Sequence, residues 1–198
     1  MDKQQFYSQF SKAIDNLSEL SESNKQKWFN ISTLVRLKKG HQLITAGINT
    51  RKVAFNLDGL FRLYYIDADG NEFTKGFMPK ENIVISYSAL VENRGSYFNV
   101  EALKDSNVLL FDYDKWMQLV ENDPEWHKLL FRFVQRAYMM KEKREKAFLL
   151  DDATTRYLDF KANYADIEKD LKQYHVASFL GITPVALSRI RKTLKEMV

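Results

Sequence analysis

The stretch that decides the fold runs from Gln173 to Lys192 and reads QYHVASFLGITPVALSRIRK. Its apolar residues recur at the spacing of two short helices joined by a tight turn. Val176, Ala177 and Leu180 share one face of the first helix, and Ala177 is small enough for a second helix to cross close to it. The pattern therefore predicts a first helix that ends at Leu180 and a second one that packs across it.

The turn between the two helices carries three residues with matching backbone preferences. Gly181 stands where the first helix ends, a position that usually requires a positive φ. Thr183 is placed to cap the second helix, and Pro184 follows at the first helical position, where proline is tolerated. Cap, turn and apolar spacing together predict a helix-turn-helix.

The second helix divides into an apolar and a polar face. Leu187, Ile190 and Leu194 form its apolar stripe, and burying that stripe leaves the opposite face free to enter a major groove. We therefore predict duplex DNA as a partner. The predicted DNA-binding residues are Thr183, Val185, Ser188, Arg189, Arg191, Lys192 and Lys195.

Each predicted contact has its own chemistry. Arg189 suits a guanine edge and Val185 a thymine methyl group, with Ser188 beside them. Thr183, with Arg191 and Lys195, is better placed for phosphates. Four of the predicted residues are cationic. Glu196 is the single acidic residue between Gly181 and Val198, so this segment has local positive charge. A plain helical hairpin with a basic tail is the alternative.

A long helix is predicted before this motif, over residues 124–150. Its apolar residues alternate four- and three-residue steps, a repeat of about 3.5 residues that is typical of helix pairing. We interpret the repeat as the seam of a homodimer, although the helix can also pack on its own subunit. The predicted seam residues are Trp126, Leu130, Phe133, Ala137 and Met140. The charged run Lys141–Lys146 follows.

The region from residue 31 to 115 has the pattern of short strands separated by regular turns, which indicates an antiparallel sandwich or barrel. The predicted strands are Leu34–Leu37, Gln42–Thr45, Val53–Leu57, Leu60–Ile66, Phe73–Met78, Ile83–Tyr87, Tyr97–Leu103 and Val108–Tyr113. Two helices precede them, and Ser21 is placed to cap the second. Short helices at Ala153–Tyr164 and Asp166–Leu171 lead into the C-terminal motif.

Composition bounds the protein class. The chain has 198 residues, of which 45% are apolar, so it can bury a real core. There is no cysteine, which excludes disulfides and thiolate metal sites and fits a reducing cytosol. No secretory leader and no apolar run of spanning length is visible, so we expect a cytoplasmic protein with no membrane partner. The net charge of +4 alone says little about nucleic acid.

The order of barrel, long helix and helix-turn-helix resembles the Crp/Fnr family of transcription regulators, and Tyr174–Pro184 resembles its Bacteroidetes-type members. The other segments that carry the resemblance are Lys39-Gly40 with Gly47, Leu57–Tyr65 and the Asp67–Asn71 hairpin. The resemblance implies an α+β chain with an N-terminal antiparallel jelly roll of the cyclic-nucleotide-binding type. It also implies a homodimer on palindromic operators, and contact with RNA polymerase. The expected domains are 1–123 for sensing, 124–150 for dimerisation and 151–198 for DNA binding.

This sequence departs from the family pattern in two places, one in the expected ligand site and one after the helix-turn-helix. The Gly-Glu and Arg-Ser pairs of cyclic-AMP-binding members fall near Ile85-Ser86 and Ser96-Tyr97 here, so both the ribose carboxylate and the phosphate guanidinium are missing. We therefore expect an unknown effector rather than cyclic AMP, and no cofactor is identified. The chain also reaches Val198 without the β-hairpin wing of the family.

A polar cluster marks the expected effector pocket. Its residues are Ser86, Tyr87, Arg94, Ser96, Tyr97 and Asn99. They either line a small-molecule site or satisfy polar groups at one end of the barrel. Arg94 can replace the missing guanidinium if the loop register shifts.

Other functions compete with DNA binding as interpretations of the sequence. A cupin-like enzyme needs several histidines within the barrel, whereas His41 is the only one between residues 31 and 113. His127 and His175 lie in other elements, so we expect neither a metal site nor an enzyme. The Asp67–Glu72 run lacks the later glutamate of a calcium loop. A ligand-responsive interaction module without sequence-specific DNA binding stays open as an alternative.

Overall fold

The protein is described here from a computed structural model that covers residues 2–196. Met1, Met197 and Val198 lie outside the described residues, and with them the end of the predicted 151–198 domain. The helices are α1 Tyr7–Asp15, α2 Glu22–Ile31, α3 Tyr87–Val91, α4 Tyr113–Glu121, α5 Pro124–Leu150, α6 Ala153–Tyr164, α7 Gln173–Leu180 and α8 Pro184–Glu196. The strands are β1 Thr33–Leu37, β2 Gln42–Ile44, β3 Lys52–Asn56, β4 Phe61–Ile66, β5 Glu72–Met78, β6 Asn82–Val84, β7 Asn99–Ala102 and β8 Ser106–Asp112.

The strands form two four-stranded sheets, in the orders β1-β8-β3-β6 and β2-β7-β4-β5. In the first sheet every pair is antiparallel, with Thr33 opposite Leu110 and Asn56 opposite both Val108 and Asn82. The β2–β7 pair is antiparallel too, with a register shift between Gln42 and Ile44. The predicted α+β class, an antiparallel β domain followed by a long helix and further helices, is confirmed.

Two apolar cores hold the N-terminal part of the chain together. One fills the β domain and includes Phe61 and Val100. The other joins α1, α2 and α4 to the first turns of α5 and is built on three tryptophans. Trp28 lies 5.9 Å from Trp116 and 5.5 Å from Trp126, measured between ring centroids. Because aromatic rings bury large areas, this cluster fixes the helices against the first sheet.

The link between β3 and β4 depends on a glycine. The Asn56 side chain accepts a hydrogen bond from Gly59 N at 2.8 Å and donates one to Gly59 O at 3.0 Å. A Cβ atom on Gly59 would lie 2.3 Å from Ser106 Oγ and 2.8 Å from Asn56 Oδ1. Only glycine therefore fits between these side chains.

The chain forms two compact units, and α5 contributes residues to both. The first consists of Met1–Leu63 and Phe77–Ala137, and the second of Tyr64–Gly76 and Tyr138–Val198. The predicted division at residues 123 and 150 stays a prediction. Within the second unit, the hydroxyl of Ser178 in α7 contacts the backbone of β5, an edge strand, at Thr74 N (2.8 Å) and Glu72 O (3.2 Å). This contact satisfies edge groups that would otherwise face solvent.

Three predicted elements differ from the structure. The predicted strand Ile83–Tyr87 is wrong at its end, because β6 ends at Val84 and α3 begins at Tyr87. Helix α4 replaces the end of the last predicted strand, since the Asp112 carboxylate accepts hydrogen bonds from the backbone N–H groups of Asp114 and Lys115 and caps a helix there. The predicted helix Asp166–Leu171 is a single 3₁₀ turn, Glu168–Asp170.

Candidate nucleic-acid interface

The turn between α7 and α8 has the geometry that its residues predict. Gly181 adopts φ +68°, in the left-handed region, and ends α7. The Ile182 N–H donates to Ala177 O at 3.0 Å, which closes the last turn of the helix. The expectation of a positive φ at Gly181 is therefore confirmed.

Helix α8 begins with the cap expected from the sequence. Thr183 Oγ1 accepts a hydrogen bond from Ala186 N at 3.2 Å, and Pro184 is the first helical residue. The Gln173 side chain, at the start of α7, donates to Pro184 O at 2.9 Å. These bonds tie the start of one helix to the start of the other.

Burial divides α7 and α8 as their sequence indicates. Val176 and Ala177 are fully buried on α7, and so is Leu187 on α8. Ile190 and Leu194 are half-buried and continue the inward stripe of α8. The packing of this stripe sets the direction in which the opposite face points.

The opposite face of α8 is exposed. Val185, with an exposed fraction of 62%, is followed by Ser188, Arg189 and Lys192 at three-, four- and seven-residue steps, so all four lie on one side of the helix. Within residues 2–196, Arg189 forms no hydrogen bond or ion pair, which leaves its guanidinium available to an external acceptor. Lys192 lies 3.8 Å from Glu196 in an exposed pair that contributes little.

Two further predicted residues, Thr183 and Lys195, are also exposed, at opposite ends of α8. The Thr183 hydroxyl already accepts from Ala186 N and Pro184 has no N–H, which leaves the Val185 N–H as a backbone donor at the start of α8. Both ends of the exposed face thus carry groups that suit anionic phosphates.

Arg191 differs from its predicted role as a phosphate contact. Its Nη2 lies 2.8 Å from Glu168 Oε1, and its Nε donates to the Tyr157 hydroxyl at 3.1 Å. Burial lowers the pKa of Arg191, but the hydrogen bonds to Tyr157 and Glu168 outweigh that effect and hold the pKa above its ordinary value. The structure therefore commits Arg191 to joining α8 to α6 and the 3₁₀ turn before α7.

The predicted effector residues do not form one group. Ser86 and Ser96 are buried, with their Oγ atoms 2.9 Å apart, and the buried Asn99 side chain accepts from Ala46 N at 2.9 Å. Tyr87 packs instead against the helical core around Trp28. The buried Ser86, Ser96 and Asn99 therefore fit the alternative in which these residues satisfy polar groups at one end of the barrel.

The remaining two members, Arg94 and Tyr97, point outward. Tyr97 is 66% exposed, and the guanidinium of Arg94 lies 3.4 Å from the centre of its ring. Arg94 also pairs with Glu92 and donates to Gly95 O at 3.1 Å. Arg94 does not reach the buried serines. The structure therefore gives no support to the interpretation that Arg94 replaces the phosphate-binding guanidinium of the family.

The predicted dimer seam on α5 needs a correction. Trp126 is completely buried in the core of its own unit, so its assignment to the seam is wrong. Leu130 and Phe133 pack partly against the same core, whereas Ala137 and Met140 are exposed. The assignment of the other four residues to the seam stays a prediction.

Another face of α5 carries exposed apolar side chains. Phe131, Val134 and Tyr138 recur at i, i+3 and i+7, and Phe131 is 66% exposed. Such a stripe is what a helix–helix interface requires. The predicted seam does not include this stripe, because its residues lie on a different face of α5 from the repeat that begins at Trp126.

The described residues offer neither a membrane-spanning helix nor a metal-binding cluster. None of the helices between residues 2 and 196 combines the length and apolar character needed to cross a membrane. The same part of the chain contains no cluster of three histidine or acidic side chains that could hold a metal ion.

Comparison with known proteins identifies a matching domain family and several solved structures of similar fold. Residues 34–123 match the family of cyclic nucleotide-binding domains. The structure resembles FixK2 from Bradyrhizobium japonicum (TM-score 0.74, 15% identity, 84% of this chain and 86% of that one). It also resembles a CooA mutant from Carboxydothermus hydrogenoformans (TM-score 0.71, 18% identity, 89% and 82%). No protein of curated function matches the sequence.

A third similar structure is described as a putative transcriptional regulator of the Crp/Fnr family from Eubacterium rectale. Its TM-score is 0.69 at 12% identity, with 90% of this chain and 85% of that one covered. At such identities the likeness establishes the shared fold.

Proposed function

We propose that this chain, which has the fold of the Crp/Fnr regulators, is a cytoplasmic DNA-binding transcription regulator. The observation that carries the proposal is the exposed face of α8, where Ser188, Arg189 and Lys192 stand opposite the buried Leu187. A short helix that is held by its neighbour and projects such side chains fits the recognition helix of a helix-turn-helix. Arg189 donates to a guanine edge, and the Val185 methyl groups meet a thymine.

Positioning on the duplex comes from other groups. The Val185 N–H at the start of α8 is offered to a phosphate, and Lys195 offers a positive charge at the other end of the helix. Arg191 supports these contacts indirectly, because its bonds to Glu168 and Tyr157 fix the orientation of α8.

The proposed active form is a homodimer on a two-fold operator. We assign the dimer interface to the exposed face of α5 that carries Phe131, Val134 and Tyr138. Two recognition helices related by this contact would read half-sites about one turn of DNA apart, roughly 34 Å. The β domain fits a sensing role, with an effector whose chemistry differs from cyclic AMP.

The test is selection of bound sequences from random duplex DNA, followed by affinity measurements at stated salt concentrations. Arg189→Ala should weaken binding to the selected operator by about 1–3 kcal/mol and relax the preference at one base pair. Lys195→Ala should weaken all sequences alike and reduce the slope of log K against log salt by about 1. Lys161→Ala, an exposed lysine on α6, is the matched control and should change neither.

Two outcomes would overturn the proposal. Failure to enrich any two-fold sequence would favour the interaction module without sequence-specific DNA binding. An unchanged base preference in Arg189→Ala, with an enriched operator in hand, would show that α8 is not the element that reads bases.

A further inference from the structure

The C-terminal end of α7 is held by two arginines that come from other helices of the second unit. Arg144 Nη2 in α5 donates to Phe179 O at 3.0 Å, and Arg156 Nε in α6 donates to Leu180 O at 3.1 Å. The last carbonyl groups of a helix have no partner within the helix and lie at the negative end of its dipole, where cations are favourable. The end of α7 is therefore fixed from outside the α7–α8 pair.

Arg156 also bonds the chain where α5 ends. Its Nη1 donates to Asp151 O at 2.6 Å, and Asp151 directly follows Leu150, the last residue of α5. The Asp151 N–H donates in turn to Ala147 O at 3.1 Å, so Asp151 continues the hydrogen-bond pattern of α5. A single guanidinium thus joins the end of α5 to the end of α7.

The geometry of this junction requires an arginine. A guanidinium is planar and directs its N–H groups along fixed lines, so two carbonyl groups bonded to it keep a fixed relation to each other. A lysine carries the same charge, but its ammonium group is a compact point charge on a flexible stem and defines no such relation. The helix that carries Arg156 is itself anchored, because the Asp152 carboxylate accepts from Thr155 N at 2.7 Å and caps α6. The position of α7 relative to the end of α5 therefore depends on the shape of the Arg156 side chain as well as on its charge.

Phe148 in α5 packs beside the junction. Its ring centre lies 5.2 Å from the guanidinium carbon of Arg156 and 4.8 Å from that of Arg144. The ring also lies against the turn that follows α7, since a Cβ atom built on Gly181 would be 2.6 Å from Cε1 of Phe148. A guanidinium over an aromatic ring is attracted to it. The ring therefore supports both guanidinium groups next to the turn that leads into α8.

We propose that Arg156 is a positioning residue that sets the half-site spacing at which the two α8 helices of the homodimer bind DNA, an inference that rests on the proposed function. Helix α5 carries the proposed dimer contact, and α8 carries the side chains proposed to read bases. The α7–α8 pair is closed within itself by the bonds described above. The direction of α8 relative to α5 then follows from how α7 is held, and Arg156 bonds both α7 and the end of α5.

Half-site spacing is a sensitive measure of this junction because DNA is a helix. One base pair inserted between the half-sites moves one of them by about 3.4 Å and rotates it by about 35°. Two rigidly held α8 helices then reach both half-sites only if the duplex is bent or twisted back, which lowers the affinity. A loosened junction lets each α7–α8 pair follow its half-site instead.

The experiment measures binding of the full chain to the selected operator and to versions with one base pair inserted into or removed from the spacer. The wild type should lose at least about tenfold in affinity for one inserted base pair, because the duplex must be deformed. Arg156→Gln should bind the best spacing more weakly than the wild type. It should lose less than about threefold for the insertion, because its α7–α8 pair adapts and the duplex stays undeformed.

Two further variants separate geometry from charge. Arg156→Lys should behave like Arg156→Gln, because it keeps the charge but not the planar group. The matched control, Lys161→Gln, removes an equal charge from an exposed position on the same helix and should keep the wild-type spacing profile.

A second measurement separates positioning from folding. Urea unfolding followed by circular dichroism gives the stability of each variant, and Arg156→Lys carries the test if Arg156→Gln does not fold. A variant that is less stable but keeps the wild-type spacing optimum would overturn the proposal, since the role of Arg156 would then be structural only. A wild type that binds all spacings alike would overturn the two-fold operator of the proposed function together with this proposal.

Discussion

Replacing Gly181 by alanine tests whether the α7–α8 turn depends on glycine for two separate reasons. The first is its backbone conformation, φ +68°. An alanine adopts this conformation at a net cost of about 1 kcal/mol, once the lower conformational entropy of the unfolded alanine variant is included. The second is space, because an added Cβ would lie 2.6 Å from Cε1 of Phe148. That ring also lies within 5.2 Å of the Arg156 guanidinium, so its displacement disturbs a second contact.

The two costs can be separated with a control in the same unit. Gly70 has φ +84°, but an added Cβ there would meet nothing within 4 Å. Gly70→Ala should therefore cost only the backbone part, about 1 kcal/mol. Gly181→Ala adds the displacement of Phe148 and should cost about 2–3 kcal/mol in total, as overpacking usually does. With a urea dependence of about 2 kcal/mol per molar, its midpoint should fall by about 1 M.

The assay uses the uneven placement of the tryptophans. Trp28, Trp116 and Trp126 all lie in the first unit, and the chain has only these three. Tryptophan fluorescence therefore reports that unit, whereas far-ultraviolet circular dichroism also reports the helices of the second. Gly181→Ala should shift the circular dichroism transition and leave the fluorescence transition in place. Equal midpoints for Gly181→Ala and Gly70→Ala would refute the reasoning about Phe148.

Three other changes have clear expected outcomes. Trp126→Ala should lower the free energy of unfolding, measured by urea denaturation, by about 3–5 kcal/mol, because the side chain is fully buried. A loss of self-association with unchanged stability would contradict the place of Trp126 in the core. Ser178→Ala should lower the stability of the second unit by about 1 kcal/mol and speed hydrogen exchange at the Thr74 amide, and unchanged exchange would count against the β5 contact. The pKa of Tyr7 is raised from 10.0 to about 12, first by burial and then by Glu22. The protonated Tyr7 hydroxyl therefore stabilises the folded state below pH 10, and this stabilisation is lost as pH rises towards 12. Tyrosinate absorbance of the wild type minus that of Tyr7→Phe should show this late titration, and a difference centred at pH 10 would exclude it.

Local chemistry explains why α7 and α8 could be predicted. A glycine that ends one helix, and a threonine and a proline that begin the next, act through backbone preferences within a few residues. The predicted end of the first helix at Leu180 agrees with α7 for this reason. In the same way, the Asp112 carboxylate that starts α4 is a local signal that could have been recognised.

Tertiary contacts explain what could not be predicted. The repeat on α5 shows that one face is buried, but Trp126 packs on Trp28, which lies almost a hundred residues earlier, and no periodicity identifies that partner. Arg191 has the same limitation, because its ion pair with Glu168 depends on how two elements meet.

The closed turn between α7 and α8 restricts how this protein can change shape. Ile182 bonds back to Ala177, and the Gln173 side chain bonds forward to Pro184, so the few linking residues have no slack. The two helices must consequently rotate as one rigid body. A signal that alters what α8 faces therefore has to move the pair as a whole, through the chain that enters at Gln173 or through contacts on α7 such as that of Ser178 with β5.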